Sequence, residues 1–216
     1  MDVVIAGGHG AIARRLTRLL VARGDRVRAL IRNPDHVDDV RADGAEPVLV
    51  DLELATPDQL AIQITGADSV VFAAGAGSGS GPERKLTVDR DGAIKLLRAA
   101  KRAGAQGYVM VSSGGAEAPP EDDEVFSVYL RAKAAADEAV MASPLDWVVI
   151  RPGTLSDENG TGKVKLSGEP PAGSITRDDV AALAAAALAD SDLSQRLLYA
   201  ANGKETIATA LAGARG

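Results

Sequence analysis

The chain has no cysteine and only two histidines in 216 residues. Disulfides, thiol chemistry and cysteine-ligated metals are therefore excluded, and His9 and His36 alone argue against a histidine-based metal site. Aromatic residues are nearly as scarce, with two Phe, one Trp and three Tyr, so Ala, Val and Leu must build the core. Positive charge is in deficit. A net charge of −6 supplies no global field toward nucleic acid or an anionic membrane, although local arginines can still hold a phosphate. No apolar run reaches the ~18 residues of a membrane span. The N-terminal stretch lacks a basic region and runs straight into glycines, so it reads as a first strand rather than a signal peptide, and a cytoplasmic protein is the expectation. The length suits one domain with a substantial core.

What is present starts with Val3-Val4-Ile5-Ala6-Gly7-Gly8-His9-Gly10-Ala11-Ile12-Ala13. A β-branched run stops at a glycine cluster, and a helical pattern through Leu16, Leu19 and Leu20 begins at once. Residues without a Cβ let the backbone approach a pyrophosphate, and a helix start offers free N–H groups and a positive dipole end to it. Ala13 lets the helix lie close to the strand. The spacing Gly7-x-x-Gly10-x-x-Ala13, with an extra Gly8, is a variant of the dinucleotide fingerprint.

Apolar strands and amphipathic helices alternate along the chain. Strands are expected over Arg26–Ile31, Glu46–Val50, Ser69–Ala74, Tyr108–Val111, Trp147–Ile150 and Leu197–Ala200. Helices are expected after Asn33-Pro34, from the capping box Thr56-Pro57-Asp58-Gln59, over Glu83–Ala103, over Val125–Met141, after Thr176-Arg177-Asp178-Asp179, and from Thr206. The Gly75–Gly81 stretch reads as a mobile binding loop, and Thr161–Pro171 as a loop or small hairpin. The alternation predicts an α/β, doubly wound parallel sheet, the Rossmann fold. A single domain over 1–216 is expected, with residues 153–176 forming a small substrate-covering loop or hairpin.

The second strand ends Ala29-Leu30-Ile31-Arg32. An NAD-binding unit places an acid there for the ribose 2′-hydroxyl; here a guanidinium stands instead, suited to a 2′-phosphate, so NADP(H) is expected over NAD(H). Arg14 or Arg15 would reinforce that phosphate site. Asp51-Leu52, after the third strand, either flanks the adenine or, for Asp51, caps its own turn.

Tyr129 and Lys133 lie four apart on a predicted helix and share a face. In carbonyl reduction hydride reaches carbon and a proton must reach oxygen. A free phenol, with a pKa near ~10, exchanges its proton poorly at neutral pH, and a neighbouring ammonium favours the phenolate. The lysine can also hold the nicotinamide ribose. The competing reading is a core tyrosine and a surface lysine at helical spacing by accident.

Together, Gly7-x-x-Gly10-x-x-Ala13, Leu30-Ile31-Arg32-Asn33-Pro34, Val50-Asp51-Leu52, Ala73-Ala74-Gly75, Val111-Ser112-Ser113-Gly114, Tyr129-Leu130-Arg131-Ala132-Lys133 and Ile150-Arg151-Pro152-Gly153 resemble the atypical short-chain dehydrogenase/reductases. The similar members are the small NAD(P)H-binding type that includes biliverdin reductase B/flavin reductase. The resemblance covers essentially the whole chain. It implies that Gly7, Gly8, His9, Gly10, Ala11 and Ile12 cradle the pyrophosphate and that Arg32 takes the 2′-phosphate. Asp51 and Leu52 would flank the adenine, and Ala73, Ala74 and Gly75 the ribose. Val111, Ser112 and Lys133 join the cofactor set, with Pro152 and Gly153 beside the nicotinamide carboxamide. Tyr129 and Lys133 would be catalytic. Gly114 stands where the superfamily's catalytic hydroxyl is expected, so Ser112 or Ser113 either substitutes for it or shapes the cofactor site. Asp89 replaces the superfamily asparagine.

The implied activity is NADP(H)-dependent transfer of hydride between nicotinamide and a small carbonyl, quinone or flavin-like substrate. The short segment after Gly153 argues against a nucleotide-sugar epimerase. The alternative is a non-catalytic NADP(H)-binding redox sensor or regulator. A small-molecule substrate is the expected partner, with no nucleic acid, membrane or metal; a homodimer is left open.

Overall fold

The first strand is apolar from Val3 to Ala6 because it is covered on both faces: Val3, Val4, Ile5 and Ala6 are all fully buried. In the computed structural model every residue except Ser78, Pro171 and Gly216 is described. Ser78 belongs to the expected Gly75–Gly81 loop and Pro171 to the expected 161–171 segment, and both lie outside the described residues.

The chain runs β1 (Asp2–Ala6), α1 (Ala11–Ala22), β2 (Arg26–Ile31), α2 (Val37–Ala42), β3 (Glu46–Leu49), α3 (Pro57–Gln63), β4 (Ser69–Phe72) and α4 (Pro82–Arg84). A π-helical stretch, Lys85–Gly92, leads directly into α5 (Ala93–Ala103). Then come β5 (Gly107–Val111), α6 (Val125–Met141), β6 (Asp146–Pro152), β7 (Thr154–Ser156), β8 (Lys163–Ser167), β9 (Ser174–Thr176), α7 (Arg177–Leu188), β10 (Arg196–Asn202), β11 (Glu205–Thr206) and α8 (Ile207–Ala214).

The main sheet has the order β11-β8-β10-β6-β5-β4-β1-β2-β3. From β3 to β10 all neighbours are parallel, in the doubly wound arrangement of a single-domain Rossmann fold. Alternate residues of the strands feed two cores. Val3, Ile5, Val71 and Val109 pack with Leu16 and Leu20 of α1 and Leu183 of α7. Val4, Val70, Phe72 and Met110 pack on the other face with Leu60 of α3, Leu96 of α5 and Val140 of α6. Among the described residues no helix is long and apolar enough to cross a membrane.

Three expectations need correction. Residues 161–171 are not simply a loop or self-contained hairpin: β8 joins the main sheet antiparallel to β10, and β11 pairs on its outer side. Val164, fully buried, anchors it to the sheet. The small sheet of this region is instead β7 with β9, parallel. The strand expected over Ser69–Ala74 stops at Phe72, although the Ala73 N–H still donates to Ala6 O at 3.1 Å before the chain turns away. The helix expected over Glu83–Ala103 is present, but its first half widens to π geometry.

Local signals act as read. Thr56 and Gln59 make both bonds of the capping box, at 2.9 and 3.2 Å. Thr176 Oγ1 accepts the Asp179 N–H at 3.0 Å to open α7.

Candidate functional site

The sheet order reverses between β1 and β4, since the chain runs outward through β2 and β3 on one side and through β5 and β6 on the other. The loops leaving the carboxyl ends of these strands border a crevice, the position where open α/β sheets bind ligands. Gly7 sits in the left-handed region, φ +78, and a Cβ there would lie 2.5 Å from Ala74 Cα. A Cβ on Gly8 would lie 2.5 Å from Ala29 Cβ. These two glycines are thus demanded by the chain's own crossing of β1 with the ends of β4 and β2. The Gly10 N–H donates to Gly7 O at 2.7 Å and closes the turn. Gly10 then caps α1 with no side chain bonded across the helix end, leaving the N–H groups that Ala11, Ile12 and Ala13 bring to its first turn for an anion.

One side of the crevice is a cleft of about 290 Å³. Gly7, Gly8, His9, Gly10, Arg32, Asp51, Leu52, Ala73, Ala74 and Gly75 all line it. Two guanidiniums meet over Glu53 there. Arg84 Nη2 lies 2.8 Å and Arg32 Nη1 3.1 Å from the same carboxylate oxygen, while the Thr87 hydroxyl donates to the other at 2.6 Å. The bond from Arg84 is the main reason the Glu53 carboxyl is held below its usual range. Asp51 Oδ1 accepts the Glu53 N–H at 2.8 Å, so Asp51 caps its own turn while facing the cleft. His9 stacks on His36, ring centroids 3.6 Å apart, and Nε2 donates to Asp39 at 2.8 Å. Arg14 and Arg15 do not turn to the cleft: Arg14 is paired with Asp43 and Asp39, and Arg15 with Asp178 and Asp157. The structure corrects the expectation that they reinforce the phosphate site.

Across β4 and β5 lies a second cleft of about 460 Å³, lined by Ser112, Ser113, Phe126, Tyr129, Pro152 and Gly153 among others. Tyr129 and Lys133 share one face of α6. Lys133 is buried, its Nζ 5.9 Å from the Tyr129 ring centroid and donating to Val111 O at 3.1 Å. Val111 and Lys133 therefore support the site from beneath. Asp89, fully buried on the π-helical stretch, lies 3.8 Å from Lys133 Nζ through Oδ1 and accepts the Ala76 N–H through Oδ2 at 3.1 Å. Ser112 and Ser113 differ. The Ser112 hydroxyl points inward and donates to buried Asp137 at 2.7 Å, whereas Ser113 bonds only its neighbour's carbonyl, Gly114 O, at 3.1 Å. Asp137 also receives Arg151 Nε at 2.9 Å, and Arg151 Nη1 donates to the Tyr199 hydroxyl at 2.8 Å. Burial pushes the Asp137 carboxyl up, with Ser112 and Arg151 pulling against it.

A family model described as NAD(P)H-binding matches residues 7–191. The chain belongs to this NAD(P)H-binding family. It is 37% identical over 212 residues to a Bacillus subtilis (strain 168) protein named as an uncharacterized sugar epimerase, YhfK, covering 98% of this chain and 99% of that one. A solved structure from Bacillus halodurans, a candidate NAD-dependent epimerase/dehydratase, superposes with a TM-score of 0.92 at 33% identity and covers 99% of both chains. The oxidoreductase ylbE of Lactococcus lactis superposes with a TM-score of 0.87 at 27% identity over 99% of this chain and 96% of its own. The NAD(P)H-binding match fits the donors lining the first cleft and the helix end beside it.

Arg84, Glu53, Asp137 and Tyr199 escaped the sequence reading. Arg84 follows a glycine-rich loop with no motif of its own, and only the fold carries it to Glu53. Asp137 continues the α6 face of Tyr129 and Lys133, four residues past Lys133, and that spacing was the one available signal.

Proposed function

We propose that the protein is an NADP(H)-dependent reductase of small carbonyl, quinone or flavin-like acceptors. The observation that carries this reading is the pairing of Tyr129 with buried Lys133 on one face of α6, at the cleft bordered by the ends of β5 and β6. A bound reduced nicotinamide supplies hydride. The cofactor would be held by the Gly7–Gly10 turn and the α1 end at its pyrophosphate, by Asp51, Leu52, Ala73, Ala74 and Gly75 along its adenosine half, and by Pro152 and Gly153 at the other end. Arg32 supports NADP over NAD. Its side chain is 56% exposed and meets Glu53 through one nitrogen, so most of its fork is open to a phosphate. Arg84 supplies a second guanidinium at the same place.

On this reading the Tyr129 hydroxyl gives its proton to the acceptor oxygen. Lys133 provides positive charge behind the phenol, and the backbone at Val111 fixes the lysine. Ser113, with a hydroxyl bound only locally, suits the acceptor oxygen better than Ser112, whose hydroxyl is committed to Asp137. From the segment after β6, the cleft is lined by Thr154 and Leu155 of β7 and by Pro170 and Gly173 before β9, a short wall that suits a small acceptor and leaves little to cover a nucleotide sugar.

The test is NADPH oxidation with carbonyl, quinone and flavin acceptors. Tyr129→Phe is expected to lower kcat by about 10²–10⁴ while leaving the NADPH dissociation constant unchanged. Undiminished turnover in that variant removes the phenol from the chemistry.

A further inference from the structure

The reductase reading leaves the acceptor's charge and shape open, and the second cleft restricts both. Among the described residues, none that line it is charged. The cations around it are committed. Lys85 Nζ, 5.6 Å from the Tyr129 ring centroid, donates to Gly77 O at 2.9 Å. Lys133 holds Val111 O, and Arg151 is buried, bonded to Asp137 and Tyr199 and 3.7 Å from Glu117. Two carboxylates bond directly to lining residues: Glu117 accepts the Gly115 N–H at 3.0 Å, and Asp137 accepts from Ser112. An anionic group entering here finds no cation on the lining to bond, so its lost hydration is not replaced by a charge-assisted hydrogen bond. The wall next to Tyr129 is aromatic. Phe126 is 64% exposed, and its ring lies 5.8 Å from the Tyr129 ring at an interplanar angle of 28°. An apolar ring left in water beside the proposed proton donor offers a flat acceptor a face to stack on.

We infer that the pocket takes a flat, uncharged conjugated carbonyl acceptor of the quinone class and rejects acceptors bearing phosphate, sulfonate or carboxylate. The inference rests on the reductase reading for its chemistry. The quinone gains one hydride, carrying two electrons from the reduced nicotinamide, and one proton from the Tyr129 hydroxyl; the product is the hydroquinone.

The test compares 2-methyl-1,4-naphthoquinone with 1,4-naphthoquinone-2-sulfonate. Both are titrated by calorimetry into protein saturated with NADP⁺, in wild type, Phe126→Ala and Thr154→Lys. Wild type is expected to bind the neutral quinone at least about tenfold more tightly than the sulfonate. Phe126→Ala is expected to weaken the neutral quinone by about tenfold with cofactor affinity retained. Thr154→Lys, which adds a cation to the lining, narrows the difference between the two probes. Equal or tighter sulfonate binding in wild type overturns the inference, as does failure of the neutral quinone to bind. Quinone-dependent NADPH oxidation is read in parallel. Selective binding of the neutral probe without oxidation overturns the reductase reading and supports this pocket assignment.

Discussion

At the scale of single residues, the Asp137 carboxylate ties three elements together. It sits on α6, accepts the hydroxyl of Ser112 at the end of β5, and holds Arg151 of β6, which reaches Tyr199 of β10. Both charged groups are buried, so each depends on the other for the solvation it has lost. Arg151→Met fills similar volume but strands the carboxylate. It is expected to cost about 3–5 kcal/mol of unfolding free energy, measured by urea denaturation at neutral pH. A loss below about 1 kcal/mol, the range of exposed pairs, shows the pair to be inessential. The sequence could not announce this cluster, because its members are spread from position 112 to position 199 and each alone looks ordinary. Tyr129 and Lys133 were readable for the opposite reason: their relation is local, one helical turn.

At the scale of elements, α1 is fastened to α2 by Asp43, whose carboxylate receives Arg14 and Arg18. Burial raises the Asp43 carboxyl, but the two guanidiniums outweigh it and hold the folded value below the usual range. A depressed carboxylate contributes stability that is present above the unfolded value, near ~3.9, and lost as pH falls through the folded value. Asp43→Asn is therefore expected to cost about 1–3 kcal/mol at neutral pH, with the penalty fading on acidification below ~3.9. Unfolding curves of both proteins across that range check it, and a pH-independent difference refutes the charge argument. Elements with local signals, such as the capping box at Thr56 or the start of the nearly all-apolar β4, were legible in the sequence. Strand β8 was not. Its Lys-Val-Lys-Leu alternation is that of an edge strand, but glycines on both sides and prolines after it resemble a loop, and its partner β10 lies more than thirty residues downstream. The π widening between α4 and α5 likewise has no sequence marker, since a helix pattern survives the extra residue per turn.

At the scale of the whole molecule, the doubly wound order brings the ends of six strands to one edge, so the proposed cofactor-binding residues gather at the strand ends, loops and helix starts there while the core lies elsewhere. Cofactor binding should then appear as global stabilisation without refolding. At a concentration of 100 times its dissociation constant NADPH adds about 2.7 kcal/mol, or roughly 5–10 °C in Tm for a chain of this size. NADH at the same concentration is expected to raise Tm by roughly 3–5 °C less, the equivalent of tenfold weaker binding. In Arg32→Ala and Arg84→Ala the NADPH upshift falls to that of NADH, and the NADH upshift stays as it was. Equal upshifts for the two cofactors in the wild type refute the preference for NADP.

Asp89 gives the molecule one more property. Its two carboxylate oxygens serve different tenants: Oδ2 anchors the backbone at Ala76, in the loop beside the first cleft, and Oδ1 faces Lys133 beneath the second. The carboxylate is fully buried, and among the described residues Oδ1 has no hydrogen-bond donor of its own. Any displacement of the loop changes the field at the lysine, and any change at the lysine alters the hold on the loop. In a thermodynamic cycle the two positions are not additive: the loop at Ala76 and the lysine at 133 draw on a single shared anion.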